Sequence, residues 1–277
     1  MNTFGQRFIH NKTAVVCLIV LAIIGLAAIL APVISPYDPT QMFQEHRLEG
    51  SSAQFWLGTD QFGRDLFSRI IHGTQVSLLV GVSSVAISVV FGSLFGLLAG
   101  YFGRWIDGLI MRVMDVLFAF PEILLALAIV AALGPGMFNT ILAIGIVNIP
   151  VFTRIVRGAV LAVKNLEYVE SARAIGASTS RILFLEIFPN VNAPLLVQAS
   201  LAISGAILTE SGLSFLGLGI QPPDPSWGGM IAEARRYMEL APGMIVWPCV
   251  AMTVTILVFN LFGDALRDLL DPRHRSQ

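Results

Sequence analysis

Apolar runs of eighteen or more residues recur along this chain, and nothing else in it limits the fold so strongly. A helix rises about 1.5 Å per residue, so each run can cross a hydrocarbon core about 30 Å thick. Of the 277 residues, 55% are hydrophobic and 13% charged, about half the charged share of an ordinary soluble domain. A soluble fold is excluded, and an all-α polytopic membrane protein is expected. Six transmembrane spans are read, at about 14–34, 76–101, 109–133, 137–156, 194–220 and 242–264. The first has no small-residue cleavage site near its end, so it reads as a retained helix.

The net charge of −1 and the absence of any like-charge block exclude nucleic acid as a partner. Cys17 and Cys249 fall in different apolar segments, which argues against a disulfide and against a thiolate metal site. His10, His46, His72 and His274 lie scattered in polar segments without ligand spacing, so no metal site is expected.

An even number of spans puts both termini on one side. With the termini inside, the inner segments hold Arg7, Lys12, Arg104, Arg112, Arg154, Arg157, Lys164, Arg173, Arg181, Arg267, Arg273 and Arg275. The outer segments hold only Arg47, Arg64, Arg69, Arg235 and Arg236. The positive-inside rule then predicts cytoplasmic termini.

Three segments stay out of the membrane. The first outer loop, 35–75, carries Phe55, Trp56, Phe62 and Phe67 and is expected to fold against the outer mouth. It divides the chain into 1–75, the tail with the first helix and outer loop, and 76–277, a core of five spans. The second outer loop, 221–241, has Pro222, Pro223, Pro225 and Gly228-Gly229 for fixed turns, with Trp227 as an interfacial aromatic. In the inner loop Tyr168, Ala172 and Ile175 fall at i, i+4 and i+7 on a short helix that Gly176 breaks. Ser178 caps a second helix that runs until Pro189. This hairpin, 166–189, reads as a docking surface for another protein, or as an amphipathic interfacial hairpin.

Only two lysines occur, Lys12 and Lys164, and neither follows a glycine, so no phosphate-binding loop of the Gly-Lys-Ser/Thr kind exists. Any nucleotide that drives transport must bind a partner. No set of membrane-buried Asp, Glu and His suited to a proton relay is present, and Ser204, Ser211 and Ser214 have no histidine nearby. A secondary transporter and an intramembrane hydrolase therefore fall behind.

The run Glu170-Ser171-Ala172-Arg173-Ala174-Ile175-Gly176, with Pro189 thirteen residues after the glycine, resembles the coupling-loop signature of ABC importer permeases. Ser171 and Phe188 depart from it modestly. The block Gly58-Thr59-Asp60-Gln61-Phe62-Gly63-Arg64-Asp65, continued to Ser68-Arg69, is similar to one in dipeptide, oligopeptide and nickel importer permeases. So is Glu210-Ser211-Gly212-Leu213-Ser214-Phe215-Leu216-Gly217-Leu218-Gly219 with the prolines after it. The likeness is to the C-type member of the paired permeases. It implies a second related permease, two cytoplasmic ATPase subunits that carry ATP and Mg, an extracytoplasmic solute-binding protein, and surrounding lipid. It also implies a bacterial inner-membrane location and import of dipeptides or short oligopeptides, with nickel or a nickel chelate as the alternative. No catalytic residue, cofactor or metal is expected on this chain.

Under that resemblance Tyr168, Glu170, Ala172, Ile175, Gly176 and Pro189 form the coupling hairpin, its apolar face seated in an ATPase groove and Glu170 paired with Arg173 or with the partner. Arg64 and Asp65 pair within the loop or with the binding protein. Glu210 lines an outer gate or bonds Ser211 and Ser214 as a structural cap. Glu122, after Pro121, is assigned a structural role at a kink. Gly145, Gly205, Gly212, Gly217 and Gly219 are expected to serve helix packing.

Overall fold

The computed structural model describes residues 8–270; Arg7, Arg273, His274 and Arg275 lie outside them. The major helices are α1 (Lys12–Ile29), α2 (Leu66–Phe102), α3 (Arg104–Phe118), α4 (Glu122–Leu133), α5 (Met137–Val163), α6 (Glu167–Ala174), α7 (Asn192–Phe215), α8 (Trp227–Ala234) and α9 (Gly243–Leu270). Five of these, α1, α2, α5, α7 and α9, are long and apolar enough to cross a membrane, and α3 with α4 makes a sixth if that bent pair is counted as one span. We call the end of the bundle that carries residues 35–65 and 217–241 the upper end. The lower end carries 166–190.

The expected third span is not straight. α3 and α4 meet at 91°, for two local reasons. Pro121 cannot continue a helix begun before it. The first half is also amphipathic, with Arg104, Asp107, Arg112 and Asp115 on one side and exposed Trp105, Leu109, Val113 and Val116 on the other. A charged face of this kind cannot lie against lipid, so it turns toward α5. Ion pairs fix it on α5, Arg157 to Asp107 at 2.5 and 2.7 Å and Arg154 to Asp115 at 2.8 Å.

A second boundary differs too. α2 starts at Leu66, capped by Asp65, so the division at residue 75 falls inside a continuous helix. The last four residues of the motif block, Leu66 to Arg69, are already helical.

α2 and α5 form the center of the bundle. Along α2, Ser84, Ser88, Gly92, Gly96 and Gly100 recur every fourth residue; the glycines face Phe152, Val156 and Val160 of α5, and the serines lie beside Gly145. A Cβ at Gly96 would stand 2.6 Å from the Val156 Cβ, and one at Gly100 would stand 2.7 Å from the Val160 Cβ. The helices therefore touch backbone to side-chain root, and Ser88 Oγ donates across to the Gly145 carbonyl at 2.8 Å. Small residues permit this in lipid, where apolar surface gains nothing from being hidden. Of the glycines expected to pack, Gly145 does so, against Ile87, whereas Gly205 faces open space.

Gly96→Val should force α2 and α5 apart and lower stability by about 1–3 kcal/mol or more. The expected outcome is reduced accumulation in the membrane and an earlier thermal midpoint in detergent, and an unchanged midpoint would contradict the packing described.

Candidate functional site

Three polar or partly polar centers stand out, and the first is the motif block at the upper end. Gly63 sits at φ +78°, and any Cβ there would enter the Phe43 backbone carbonyl, so only glycine fits. The turn it makes lets Asp60 Oδ1 accept the Phe62 and Arg64 amides at 2.8 and 2.9 Å. Asp60 Oδ2 pairs with Arg64 Nε at 2.5 Å and lies 3.6 Å from Arg69 Nε. Both guanidinium groups also reach Glu233 on α8, at 2.8 Å from Arg64 and 3.4 Å from Arg69. Asp65 accepts the Ser68 amide and hydroxyl at 2.8 and 2.6 Å. Thr59 donates to the His46 carbonyl and accepts from the Glu49 amide. Gly58, Thr59, Asp60, Gly63, Arg64 and Asp65 are all buried, and the partners of Arg64 and Asp65 lie within this chain.

Glu233 was not legible as part of this cluster, because nothing in Ala232-Glu233-Ala234 marks it. Only the folding of α8 against the start of α2 brings it there, through a small apolar cluster of Leu66, Ile70, Met230, Ala234 and Met244. Trp227 takes part as well. It is 1% exposed and its indole donates to the Ile70 carbonyl at 3.3 Å, so it is a buried anchor and not an interfacial aromatic.

The second center is Glu210, which is fully buried. It accepts from Ser214 at 2.7 Å, from Ser211 at 3.4 Å and from Ser77 of α2 at 3.5 Å. Ser214 in turn accepts the Ile220 amide and lies 3.5 Å from the Ser226 hydroxyl. Of the two expectations for Glu210, the structure shows the bonds to Ser211 and Ser214, and donors from α2 and α7 enclose the carboxylate so that it lines no open surface here. Glu122 has the opposite setting. It is exposed at the α3–α4 bend, where its Oε1 accepts from Thr209 at 3.2 Å and from Asn148 at 3.3 Å.

The third center is the hairpin at the lower end. α6 ends in a Schellman turn, with the Ala177 amide bonded to the Ala172 carbonyl and the Gly176 amide to that of Arg173, both at 3.0 Å. That closure requires the left-handed conformation, which Gly176 supplies at φ +81°. Ser178 caps the next arm as expected. The arm itself is wound as a π-helix over Ile182–Ile187, and Pro189 opens a 3₁₀ turn and does not stop the chain, which runs on into α7.

The expected docking face divides. Ala172 is 7% exposed and packs with Val169, Ile182, Leu183 and Ile187 into the core of this chain. Ile175 is 82% exposed and Tyr168 40%. Phe184 and Leu185 join them on the outer side, so the exposed apolar set spans both arms. Glu170 does not pair with Arg173, whose guanidinium lies over the Tyr101 ring at 5.1 Å. Lys164 donates to the Gly100 carbonyl at 2.9 Å. Arg173 thus fixes the hairpin to the lower end of α2, and Lys164 ties the end of α5 to the same place.

Replacing Glu233 by Ala should cost about 3–5 kcal/mol, since it leaves two buried guanidinium groups with Asp60 alone. Glu210→Ala should cost about 2–4 kcal/mol by orphaning buried hydroxyls and opening a cavity. Thermal unfolding in detergent checks both, and midpoints equal to wild type would remove these residues from the structural core.

Residues 92–276 match the family of binding-protein-dependent transport system inner membrane components, and residues 2–50 match the N-terminal TM domain of oligopeptide transport permease C. The chain is 48% identical to the di/tripeptide transport system permease protein DppC of Pseudomonas aeruginosa, over 100% of this chain and 93% of that one. It is 46% identical to the dipeptide transport system permease protein DppC of Alkalihalophilus pseudofirmus, over 96% and 88%. The glutathione transport system permease protein GsiD of Pectobacterium atrosepticum is 48% identical, over 99% and 91%. In fold, the chain is similar to a chain of the MetNI methionine ABC transporter in an inward facing conformation, with a TM-score of 0.59 at 16% identity over 73% of this chain and 97% of that one. With its buried motif block, its lower hairpin and its helical bundle, the chain belongs to the inner membrane components of binding-protein-dependent transport systems.

Proposed function

We propose that this chain is one of two related permease subunits that form the pore of an ATP-driven importer for dipeptides and short oligopeptides. The observation that carries this reading is the full-length similarity to permeases named for di/tripeptide and glutathione transport, all short peptides. In this reading the protein lies in the bacterial cytoplasmic membrane with both termini inside. The upper end faces outward, toward a solute-binding protein. The lower end meets two ATPase subunits that hold ATP and Mg, and this chain supplies no catalytic group of its own.

The hairpin is the coupling element. Ile175, Tyr168, Phe184 and Leu185 present apolar surface beside the charged Glu167 and Glu170, which suits a groove on a protein partner. Gly176 and Pro189 shape the two arms, while Ala172 ties them to the bundle. A push on the exposed arm then reaches α2 and α7 directly through packed side chains.

Uptake of labelled dipeptide, longer peptide and nickel by cells with and without this chain tests the substrate class. Loss of peptide uptake alone is expected, and loss confined to nickel would overturn the reading. Ile175→Asp should reduce co-purification of the ATPase subunits and abolish uptake while the helices still insert. Wild-type values for both would make the hairpin an inert loop. Orientation is checked by single cysteines at Gln44 and Thr179, which should react with an impermeant thiol reagent from opposite sides of the membrane.

A further inference from the structure

The α3–α4 bend carries a feature that membrane packing alone does not explain. Asn148 lies eleven residues past Met137 and fifteen before Val163 in α5, so it sits about 16 Å below the upper end of that helix, near the middle of a 30 Å hydrocarbon core. Glu122 bonds to it and shares its depth. Next to Glu122 in the chain, Ala119, Phe120 and Pro121 are exposed residues outside the regular helices, and Glu122 is exposed beside them. Broken backbone and a carboxylate do not face lipid at that depth, so this side of the chain meets water or protein.

The surface is concave. A cavity of about 410 Å³ opens here, walled by Phe118, Phe120, Val147 and Val151, with Glu122 and Asn148 as its polar groups. Apolar walls around a few convergent polar atoms are the make-up of a small-molecule site. Both bonds to Glu122 use Oε1, leaving Oε2 without a protein donor among the described residues. Asn148 donates through Nδ2 to Glu122 at 3.3 Å and to the Ile144 carbonyl at 3.1 Å, which fixes its amide and leaves Oδ1 as an acceptor. No arginine or lysine lines the cavity, and Arg154, over the Phe118 ring at 4.2 Å, is committed to Asp115 at 2.8 Å. The cavity thus offers acceptors, which suit a cation that only donates, and a protonated amine, compact and with three N–H bonds and no lone pair, is one such group.

We infer that Glu122 and Asn148 form a station in the translocation pathway that binds the amino group of the transported solute. This rests on the permease reading above and adds to it a specific chemical group and the residues that meet it. The apolar walls then accept the uncharged remainder of a short peptide with little side-chain selection.

The test uses the assembled transporter in membrane vesicles, with Cys17→Ala, Cys249→Ala and Val151→Cys in this chain, and iodoacetamide as a small water-soluble reagent. The thiol should be alkylated, and both dialanine and propylamine should slow alkylation, whereas N-acetyl-dialanine at the same concentration should not. Glu122→Gln should require about tenfold more amine for equal protection, the loss of one charged hydrogen bond. Asn148→Leu serves the same purpose where the first variant assembles poorly. An inert thiol would mean that another subunit covers this face, and equal protection by the acetylated peptide would mean a wall without an amine site; either overturns the proposal. Import of dialanine without protection sinks the station and leaves the peptide reading intact. Protection by propylamine with no import of dialanine leaves the station and sinks the peptide reading.

Discussion

The close approach of α2 to α5 underlies the rest of the molecule. In water, two apolar helices associate because their surfaces leave solvent, but in a bilayer that gain is absent and contact must come from packing and shared hydrogen bonds. The Ser84–Gly100 stripe supplies both, letting Phe152, Val156 and Val160 seat on bare backbone and Ser88 bond the Gly145 carbonyl. Everything functional is then hung from this pair. The motif block sits on the upper end of α2, the hairpin is fixed at its lower end through Arg173, and the cavity at Asn148 opens on the other side of α5.

The two ends of the bundle are held by different chemistry. Above, Asp60, Arg64, Arg69 and Glu233 form a buried ionic cluster in which each charge has an opposite neighbor. Such a cluster gains little net stability over an apolar core but tolerates no missing member, which suits an element that must hold one geometry. Below, the hairpin is fixed by apolar packing on one side and leaves apolar groups open on the other. The two acids inside apolar segments divide along the same line: Glu210 is enclosed by serines and joins three elements, while Glu122 keeps a carboxylate oxygen free at a bend.

Much of this was legible in the residues. Run lengths gave the long helices, and Gly176 and Ser178 gave the hairpin turn because their requirements are local: a left-handed conformation and a cap. The Gly92, Gly96 and Gly100 spacing is equally visible as a small-residue repeat every fourth position. The break at Ala119–Pro121 had a signal in Pro121 and in the charged face of residues 104–115, which hydropathy averaged over a window conceals. Other features depend on the fold itself. Which face of α6 packs inward is decided by the arm folded beneath it, so a helical repeat could not tell Ala172 from Ile175. Glu233, remote from Arg64 in sequence, is placed by tertiary contact alone. The same holds for the burial of Glu210 and the exposure of Glu122, since both acids lie in apolar surroundings and only the neighboring helices distinguish them.

The length of α2 has a mechanical consequence. Its 37 residues make a rod about 55 Å long, clamped above by the ionic cluster and gripped below by Lys164 and Arg173. A rod pinned at one end and pushed at the other is a lever, and points along it move in proportion to their distance from the pivot. Asn148 stands beside the middle of that rod. In the coupling proposed above, a displacement of the hairpin would arrive at the cavity wall reduced by about half, with α5 carried along because its contact with α2 leaves no gap to absorb the motion.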